Sequence, residues 1–227
     1  ALAGVPRDHA LRLREEEVLR LAGAISVRSG ATEAGINVSI LIATYGNDGW
    51  RELAWSRAYP STAEQGAEEV LVFHDPEGSI ASVRNELAAQ AKGDWLCFLD
   101  ADDELAPGYL EAMARVGGEN VLLTPSVQKV NKGHRRHFGF YPEVDLARAN
   151  WLVIGTLLRR DLFERAGGFE DYPHGFEDYS LWSKCYRMGA RVVRVPRAVY
   201  IQHINPDSKH RVGWRDKKWQ VETHERV

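Results

Sequence analysis

The sequence predicts an α/β domain whose central sheet is mostly parallel and whose second half is mixed. Short apolar runs rich in β-prone residues, at 38–43, 70–73 and 95–99, alternate with helical stretches along the first half of the chain. Alternation of this kind produces parallel strands joined by crossover helices. Beyond residue 124 the spacing changes to a polar hairpin and late strands. A length of 227 residues suits one such domain.

The elements of the first half follow from their apolar spacing. Residues 8–28 have apolar side chains at helical intervals with Asp8 as a cap, which predicts an amphipathic helix packed outside the main domain. The near-continuous apolar run at 38–43 is typical of a strand covered on both faces. The other predicted elements are a loop at 30–35, a helix at 50–59, and a helix at 79–91 that Gly93 ends.

The second half is predicted from its turn residues and shorter apolar runs. The expected elements are a helix from Pro107 to Gly117, a strand at 121–124, a hairpin at 127–140 around Asn131-Lys132-Gly133, a strand at 152–158, a short helix ending at Gly167-Gly168, a helix at 177–188, and strands at 191–195 and 199–201. We therefore divide the chain into a helical extension at 1–35, the α/β domain at 36–210, and a tail or helix at 211–227.

Composition narrows the class of protein. A net charge of -3 and a pI near 6.3 give no electrostatic footprint for nucleic acid or for an anionic membrane. Cys97 and Cys185 stand in apolar stretches without metal-ligand or redox spacing, which predicts reduced core thiols. No apolar run approaches the roughly 20 residues that span a bilayer, and the amino end lacks a signal-peptide pattern. We expect a soluble, cytoplasmic protein.

Polar residues follow each of the first three predicted strands. These groups are Thr44-Tyr45-Gly46-Asn47, His74-Asp75 and Asp100-Ala101-Asp102-Asp103. Ligands of open α/β sheets bind outside the carboxyl ends of the strands, so the three groups together point to a site. An oxygen-rich cluster of acids suits Mg²⁺ or Mn²⁺. The alternative for the acids is a solvated turn that opens the next helix.

Four further features have both a structural and a functional interpretation. Arg84 lies on the sheet-facing side of its predicted helix, where it either snorkels at the edge or hydrogen-bonds a ligand or loop carbonyl. Asp178 either complements a helix dipole or, ionised at neutral pH, serves as a general base. His203 follows a strand and is either structural or functional. The basic residues Lys129, Lys132, Arg135 and Arg136 form a solvated hairpin face or contact an anionic acceptor.

From residue 37 to about 208 the chain resembles inverting nucleotide-sugar glycosyltransferases of the GT-A fold and the family 2 type. The resemblance rests on the order of several segments: 38–47, 81–103 with Arg84-Asn85 and Asp-Ala-Asp-Asp, Gly167-Gly168-Phe169-Glu170, and 175–189. It implies a single Rossmann-like GT-A domain and a sugar transfer from a nucleotide-sugar, with a UDP-sugar as the expected donor.

The resemblance also implies roles for individual residues. Thr44, Tyr45, Asp75 and Arg84 would hold the nucleotide base, Asp100 the ribose with Ala101 beside the nucleotide, and Asp102 the metal; Asp178 would be the catalytic base, and Asp103 only the opening of the next turn. His203 resembles a histidine that completes the metal shell in some relatives, which favours Mn²⁺ over Mg²⁺. Because they neighbour these segments, Trp151, His174, Glu177 and Trp182 are expected on the acceptor side.

Other functions are weighed against this one. A sugar nucleotidylyltransferase would share the architecture, but residues 44–47 lack its Gly-rich loop and basic residue. A haloacid-dehalogenase-type phosphatase needs Thr or Val where Glu104 stands. A binding module without catalysis would bind UDP but show no turnover of a nucleotide-sugar. The acceptor is left open among a glycan, a lipid-linked saccharide, a protein side chain and a modified nucleic-acid base.

Overall fold

The computed structural model describes residues 35–140, 146, 149–172 and 175–205. The strands are β1 (Val38–Tyr45), β2 (Glu69–Asp75), β3 (Trp95–Asp100), β4 (Glu104–Leu105), β5 (Val121–Asn131), β6 (His134–Gly139), β7 (Leu157–Arg159) and β8 (Arg191–His203). The α-helices are α1 (Asp48–Leu53), α2 (Ile80–Gln90), α3 (Tyr109–Ala114), α4 (Arg160–Arg165) and α5 (Glu177–Arg187). Among these described residues, no helix has the length and apolarity needed to cross a bilayer.

The strands form one mixed sheet in the order β2-β1-β3-β7-β5-β8-β4, with β6 added to β5. β1 pairs in parallel with β2 and β3, whereas β7 is antiparallel to both β3 and β5. β5 therefore runs in the direction of β3, and β8 runs parallel to β5. The carboxyl ends of β1, β3, β5 and β8 consequently meet at one edge. This confirms the predicted α/β class, with a parallel first half and a mixed second half.

The core lies on both faces of the central strands. Ile40, Leu41 and Ile42 of β1 have no exposed surface, as expected for an apolar run covered on both sides. Phe98 of β3 packs edge-on against Phe169, with ring centroids 4.8 Å apart. Burial of this kind supplies most of the stabilisation of the sheet, at about 25 cal/mol per Å² of apolar surface. The rigid sheet then holds its carboxyl edge in place.

Several element boundaries differ from the sequence prediction. The strand expected at 152–158 is confined to β7, because a short apolar run does not distinguish a strand from a buried loop. The two late strands are one strand, β8, whose register against β5 shifts between Pro125 and Ser126. Asn47 caps α1 through its side chain, and the chain continues as π- and 3₁₀-helix to Thr62. The expected helix at 8–28 and the tail lie outside the described residues.

Asn85 clamps the loop after α4 onto α2. Its side-chain amide donates to the carbonyl of Phe169 and its oxygen accepts the Phe169 N–H, both at 2.9 Å. Gly168 allows this approach: it has a φ of +69°, and a Cβ there would lie 2.7 Å from the Asn85 Oδ1. This explains in physical terms why Arg84-Asn85 and Gly167-Gly168-Phe169 occur together in one chain.

Gly168→Ala is expected to destabilise the fold by about 2–5 kcal/mol, from left-handed strain of about 1–2 kcal/mol and overpacking of about 1–3 kcal/mol. Gly167→Ala is the matched control. Gly167 is also in the left-handed region, with a φ of +80°, but has open space around its Cβ position. It should therefore cost only the strain. Urea unfolding of both variants measures the difference in the free energy of unfolding. Equal losses would show that the contact between a Cβ at position 168 and Asn85 costs no stability.

Candidate functional site

A cavity of about 920 Å³ opens at the edge where the carboxyl ends of the strands meet. It is lined by residues from the ends of β1, β3 and β8, from α2 and from the start of α5. The structure brings most of the predicted site residues to this cavity, namely Thr44, Tyr45, Arg84, Asp100, Ala101, Asp102, Trp151, Glu177, Asp178 and His203. Segments more than 130 residues apart in the chain thus form one site.

Three carboxylates at the end of β3 form the acidic cluster of this site. One oxygen from each of Asp100, Asp102 and Asp103 lies within 4.8 Å of the other two. Burial and the neighbouring Asp100 raise the pKa of Asp102 to about 6, although hydrogen bonds and Arg57 oppose the shift. A divalent cation would remove this repulsion, and an all-oxygen donor set suits Mg²⁺ or Mn²⁺. The residues present therefore fit such an ion.

Asp103 is more than the opening of a turn, which corrects the prediction. Only 4% of its surface is exposed, and its carboxylate accepts the backbone N–H of His203 at 2.7 Å. Burial, followed by the charges of Asp102 and Asp100, raises the pKa of Asp103 well above its ordinary value. Asp103 thus ties the acidic loop to the end of β8. The Asp-Ala-Asp-Asp sequence does not indicate this contact, because the partner of Asp103 is 100 residues away in the chain.

Arg57 is a second contributor that the sequence did not reveal. Its guanidinium donates to the backbone carbonyl of Asp102 at 3.0 Å. It lies on a π-helical turn at Ala54–Ala58, a conformation that is rare and often found at functional sites. A positive charge here holds the acidic loop in position. No local sequence signal distinguishes Arg57 from a surface arginine.

His203 lies beside the acidic cluster, and its ring contacts Glu104. The Nε2 atom is 2.5 Å from the Glu104 Oε1, and the ring is not part of the group formed by the three carboxylates. Histidines that ligate a metal commonly give their other ring nitrogen to a carboxylate, and Glu104 supplies such a partner. The role of His203 as a metal ligand stays a prediction.

Arg84 forms a buried ionic bridge between the two halves of the site. Its guanidinium donates to Asp100 at the end of β3 and to Glu177 at the start of α5, both at 2.7 Å. The ring of Phe169 lies 5.1 Å from the guanidinium carbon. Burial opposes the charge, but Asp100, Glu177 and Asp178 leave the pKa of Arg84 raised. The sequence prediction considered a ligand or a carbonyl as its partner, and the structure shows two carboxylates.

Asp178 faces the cavity from the first turn of α5. Its carboxylate accepts the Tyr179 N–H at 2.7 Å and the side-chain amide of Asn150 at 3.1 Å. Burial and the adjacent Glu177 raise the pKa of Asp178 to about 7, while Arg84 opposes the shift. The prediction that it is fully ionised at neutral pH is therefore corrected.

The backbone that presents Asp178 is unusual. Phe176, immediately before α5, has a φ of +80°, a left-handed conformation that is uncommon for a bulky aromatic residue. Such conformations cost about 1–3 kcal/mol and persist only where the surroundings enforce them. They are enriched at active sites, which agrees with the position of Phe176 on the cavity wall.

Two of the residues predicted near the nucleotide base, Thr44 and Asp75, have local partners. Thr44 is buried, and its hydroxyl lies 3.0 Å from the His74 Nδ1. The Asp75 carboxylate accepts the Glu77 N–H at 2.9 Å, and Asp75 is not among the residues that line the cavity. Contact of Thr44 and Asp75 with a base stays a prediction.

The acceptor-side predictions have different outcomes. Trp151 lines the cavity, with the Arg194 guanidinium 5.1 Å from its ring. Glu177 also lines it but is engaged by Arg84. The prediction for Trp182 is wrong, because this α5 side chain has no exposed surface and packs in the hydrophobic core. His174 lies outside the described residues.

Comparison with known protein sequences adds two findings. Residues 57–150 match the model described as "Glycosyl transferase family 2", a segment that includes Arg84 and the acidic cluster. The uncharacterized glycosyltransferase EpsJ of Bacillus subtilis strain 168 is 24% identical over 165 residues, which are 64% of this chain and 48% of EpsJ. The chain therefore spans about half the length of this relative.

Solved structures share the fold. S. aureus TarS in complex with UDP-GlcNAc superposes with a TM-score of 0.60 at 17% identity, over 77% of this chain and 60% of that one. GalNAc-T7 with UDP, GalNAc and Mn²⁺ superposes with a TM-score of 0.56 at 16% identity, over 76% of this chain and 44% of that one. Both have the mixed α/β architecture described above.

Proposed function

We propose that the chain is a glycosyltransferase of family 2 that moves a sugar from a nucleotide-sugar to an acceptor hydroxyl, a proposal supported by the family match over residues 57–150 and by the fold that it shares with TarS. The observation that carries the proposal is one cavity in which an acidic cluster and Asp178 face each other across the buried Arg84. The donor we propose is a UDP-sugar, supported by the UDP compounds bound in TarS and GalNAc-T7.

Asp100, Asp102 and Asp103 are the residues that would hold a divalent cation, with His203 as a further candidate. Bound there, Mn²⁺ or Mg²⁺ would offset the negative charge that develops on the departing diphosphate. We favour Mn²⁺ for two reasons. The GalNAc-T7 structure contains Mn²⁺, and a nitrogen ligand from His203 would favour Mn²⁺ over Mg²⁺. Arg57 and the His203 N–H fix the acidic loop before any ligand binds.

Asp178 is the proposed general base. As the acceptor oxygen bonds to the anomeric carbon and the bond from that carbon to the diphosphate breaks, the hydroxyl proton passes to the Asp178 carboxylate. Attack opposite the leaving group inverts the anomeric centre without a covalent intermediate. A pKa near 7 makes Asp178 a stronger base than an ordinary Asp at about 3.9. Arg84 and Glu177 pair with each other, which leaves Asp178 to accept the proton.

The direct test is nucleotide release from a panel of donors. Calorimetry with UDP, GDP and dTDP first identifies the nucleotide, and a UDP-release assay across donor sugars then measures turnover with and without Mn²⁺. Binding of UDP together with release from at least one donor supports the proposal. Binding without release from any donor, in the presence of varied acceptors, would instead assign the chain as a nucleotide-binding module.

Asp102→Asn is expected to weaken metal-dependent UDP binding by at least about 10-fold, because it removes a charged oxygen from the proposed cation site. Calorimetry of UDP with and without Mn²⁺ measures the change. Asp94→Asn is the matched control, since Asp94 is exposed at the opposite end of β3. Mn²⁺-dependent binding that is equal in both variants and the wild type would remove Asp102 from the metal site.

A further inference from the structure

The hairpin of β5 and β6 carries a concentrated positive charge beside the cavity. Residues 127–139 contain Lys129, Lys132, Arg135 and Arg136 and no Asp or Glu, in a chain whose net charge is -3. Lys132, Arg135 and Arg136 are exposed. We call residues 127–139 the basic hairpin. Charge segregation of this degree within one short element is a local property that the overall composition hides.

The strand register places cations together on one face of the basic hairpin. Lys129 lies directly opposite Arg136, and Asn131 lies opposite His134. Residues two apart on a strand share a face, so these four side chains belong to the same surface. Like charges directly opposite each other destabilise an antiparallel pair. An anion bound against this face would meet both cations.

This face forms a shallow cavity that joins the proposed active site. The cavity has a volume of about 390 Å³ and is lined by Lys129, Asn131, Lys132, His134, Arg136 and Ile204. Lys129 and Ile204 also line the large cavity that contains Asp102 and Asp178. The two cavities are therefore adjacent. A molecule that enters the active site along this side must pass over the basic hairpin.

Taking the proposed transferase function as given, we propose that the acceptor is an anionic saccharide whose negative groups bind the basic hairpin. The donor diphosphate belongs at the acidic cluster, so the hairpin charges serve a different molecule. From Lys129 to Lys132 the hairpin extends about 10 Å at the usual rise per strand residue. The cations thus reach acceptor residues that lie away from the reacting hydroxyl. Binding energy gained there positions that hydroxyl near Asp178.

A saccharide fits these observations better than a nucleic acid. Domains that bind nucleic acid usually have a strongly basic overall charge, whereas this chain has a pI near 6.3. A sugar chain also presents the hydroxyl that the proposed reaction requires. Carboxylate and phosphate groups would satisfy the same cations, so the shared feature is a repeated negative charge on a saccharide.

The proposal is tested by binding of four probes to the whole chain. The probes are an oligogalacturonate, a phosphorylated oligosaccharide, neutral maltohexaose and a short single-stranded DNA, each titrated by calorimetry at low and high salt. We expect at least about 10-fold tighter binding of one or both anionic saccharides than of maltohexaose, with affinity that falls as salt screens the charges. The two anionic arms distinguish carboxylate from phosphate. Equal binding of maltohexaose, or tighter binding of DNA, would overturn the proposal.

Two double variants separate this site from a general effect of charge. Lys132→Gln/Arg136→Gln should weaken binding of the anionic saccharide at least about 10-fold and leave UDP binding within about 2-fold. The control, Lys92→Gln/Arg191→Gln, removes the same charge from exposed positions at the far end of the sheet and should change neither.

Each result of this pair of variants bears on the proposal. Equal losses in both variants would show non-specific attraction, and a loss of UDP binding in the hairpin variant would assign these cations to the donor; either overturns it. Absence of UDP binding by the wild type, with saccharide binding intact, would count against the transferase function alone. Thermal unfolding of both variants checks that they are folded.

Discussion

Asp178→Asn is expected to lower kcat for sugar transfer by about 10²–10⁴-fold, the range that general-base catalysis contributes. The amide keeps the size of the side chain and can still accept the Tyr179 N–H, but it cannot take up the acceptor proton. UDP binding should be retained, since Asp178 faces the acceptor side of the proposed reaction. A UDP-release assay beside UDP calorimetry measures both quantities.

The pH dependence gives a second measurement of the same residue. Because the pKa of Asp178 is about 7, kcat/KM of the wild type should rise with pH and reach half of its plateau near pH 7. The folded-state pKa lies above the ordinary 3.8, so the stabilisation from this group is complete below pH 3.8 and is lost as the pH rises through about 7. The stability of Asp178→Asn relative to the wild type should therefore be higher at pH 8 than at pH 4.

The matched control for this prediction is Asp171→Asn. Asp171 is an exposed carboxylate that precedes α5 by a few residues, and its replacement should leave both the rate and the pH profile unchanged. Transfer that persists in Asp178→Asn at more than about a tenth of the wild-type rate would mean that another group accepts the proton, because a lost general base costs about 100-fold or more.

Arg84→Met is expected to destabilise the fold by about 3 kcal/mol, at the lower end of the range for breaking a buried ion pair. The side chain of Arg84 is 6% exposed and that of Glu177 is 12% exposed, so Glu177 is left with an uncompensated charge. Asp100 contributes less because its side chain is 37% exposed and water screens it. Urea unfolding at neutral pH measures the loss.

The same variant should also change the pH profile. Arg84 is the charge that opposes the raised pKa of Asp178, so its removal should move the half-maximal pH of kcat/KM above 7. Arg84→Lys should restore only part of the stability, since a single ammonium cannot reproduce the two-pronged geometry.

Arg160→Met serves as the control for Arg84→Met. The Arg160 guanidinium donates at 2.7 Å to the carbonyl of Ala91 and has no place in the cavity, so its loss should cost about 1 kcal/mol and leave the pH profile unchanged. If the two arginine variants lost equal stability, the bridge between Asp100 and Glu177 would have no special energetic role.

The sequence predicted the parts of the site that follow from local rules. Acids placed directly after a buried strand must lie at its carboxyl end, and parallel strands bring such ends together, so the position of Asp100 and Asp102 followed from chain order. The face that a helical residue presents is also partly predictable, and Arg84 does point toward the sheet side. These inferences needed no knowledge of which distant residues would meet.

The remaining parts depend on contacts that sequence spacing does not encode. Arg84 is 93 residues from Glu177, and Asp103 is 100 residues from His203. Trp182 was misplaced because α5 is buried over most of its surface, so nearness in sequence to Asp178 did not imply exposure to the cavity. The pKa of Asp178 likewise depends on its final burial rather than on its residue type.

The Asn85 clamp limits how this domain can be recombined with its relatives. Asn85 holds Phe169, and the neighbouring Arg84 holds Glu177, so two adjacent residues of α2 fasten the segment that presents the proposed base. A chimera that exchanges the second half of the domain to acquire a new acceptor would separate these partners. Crossovers placed after α2 therefore need residues compatible with Arg84 and Asn85 in the incoming half, whereas the basic hairpin can be exchanged without disturbing either contact.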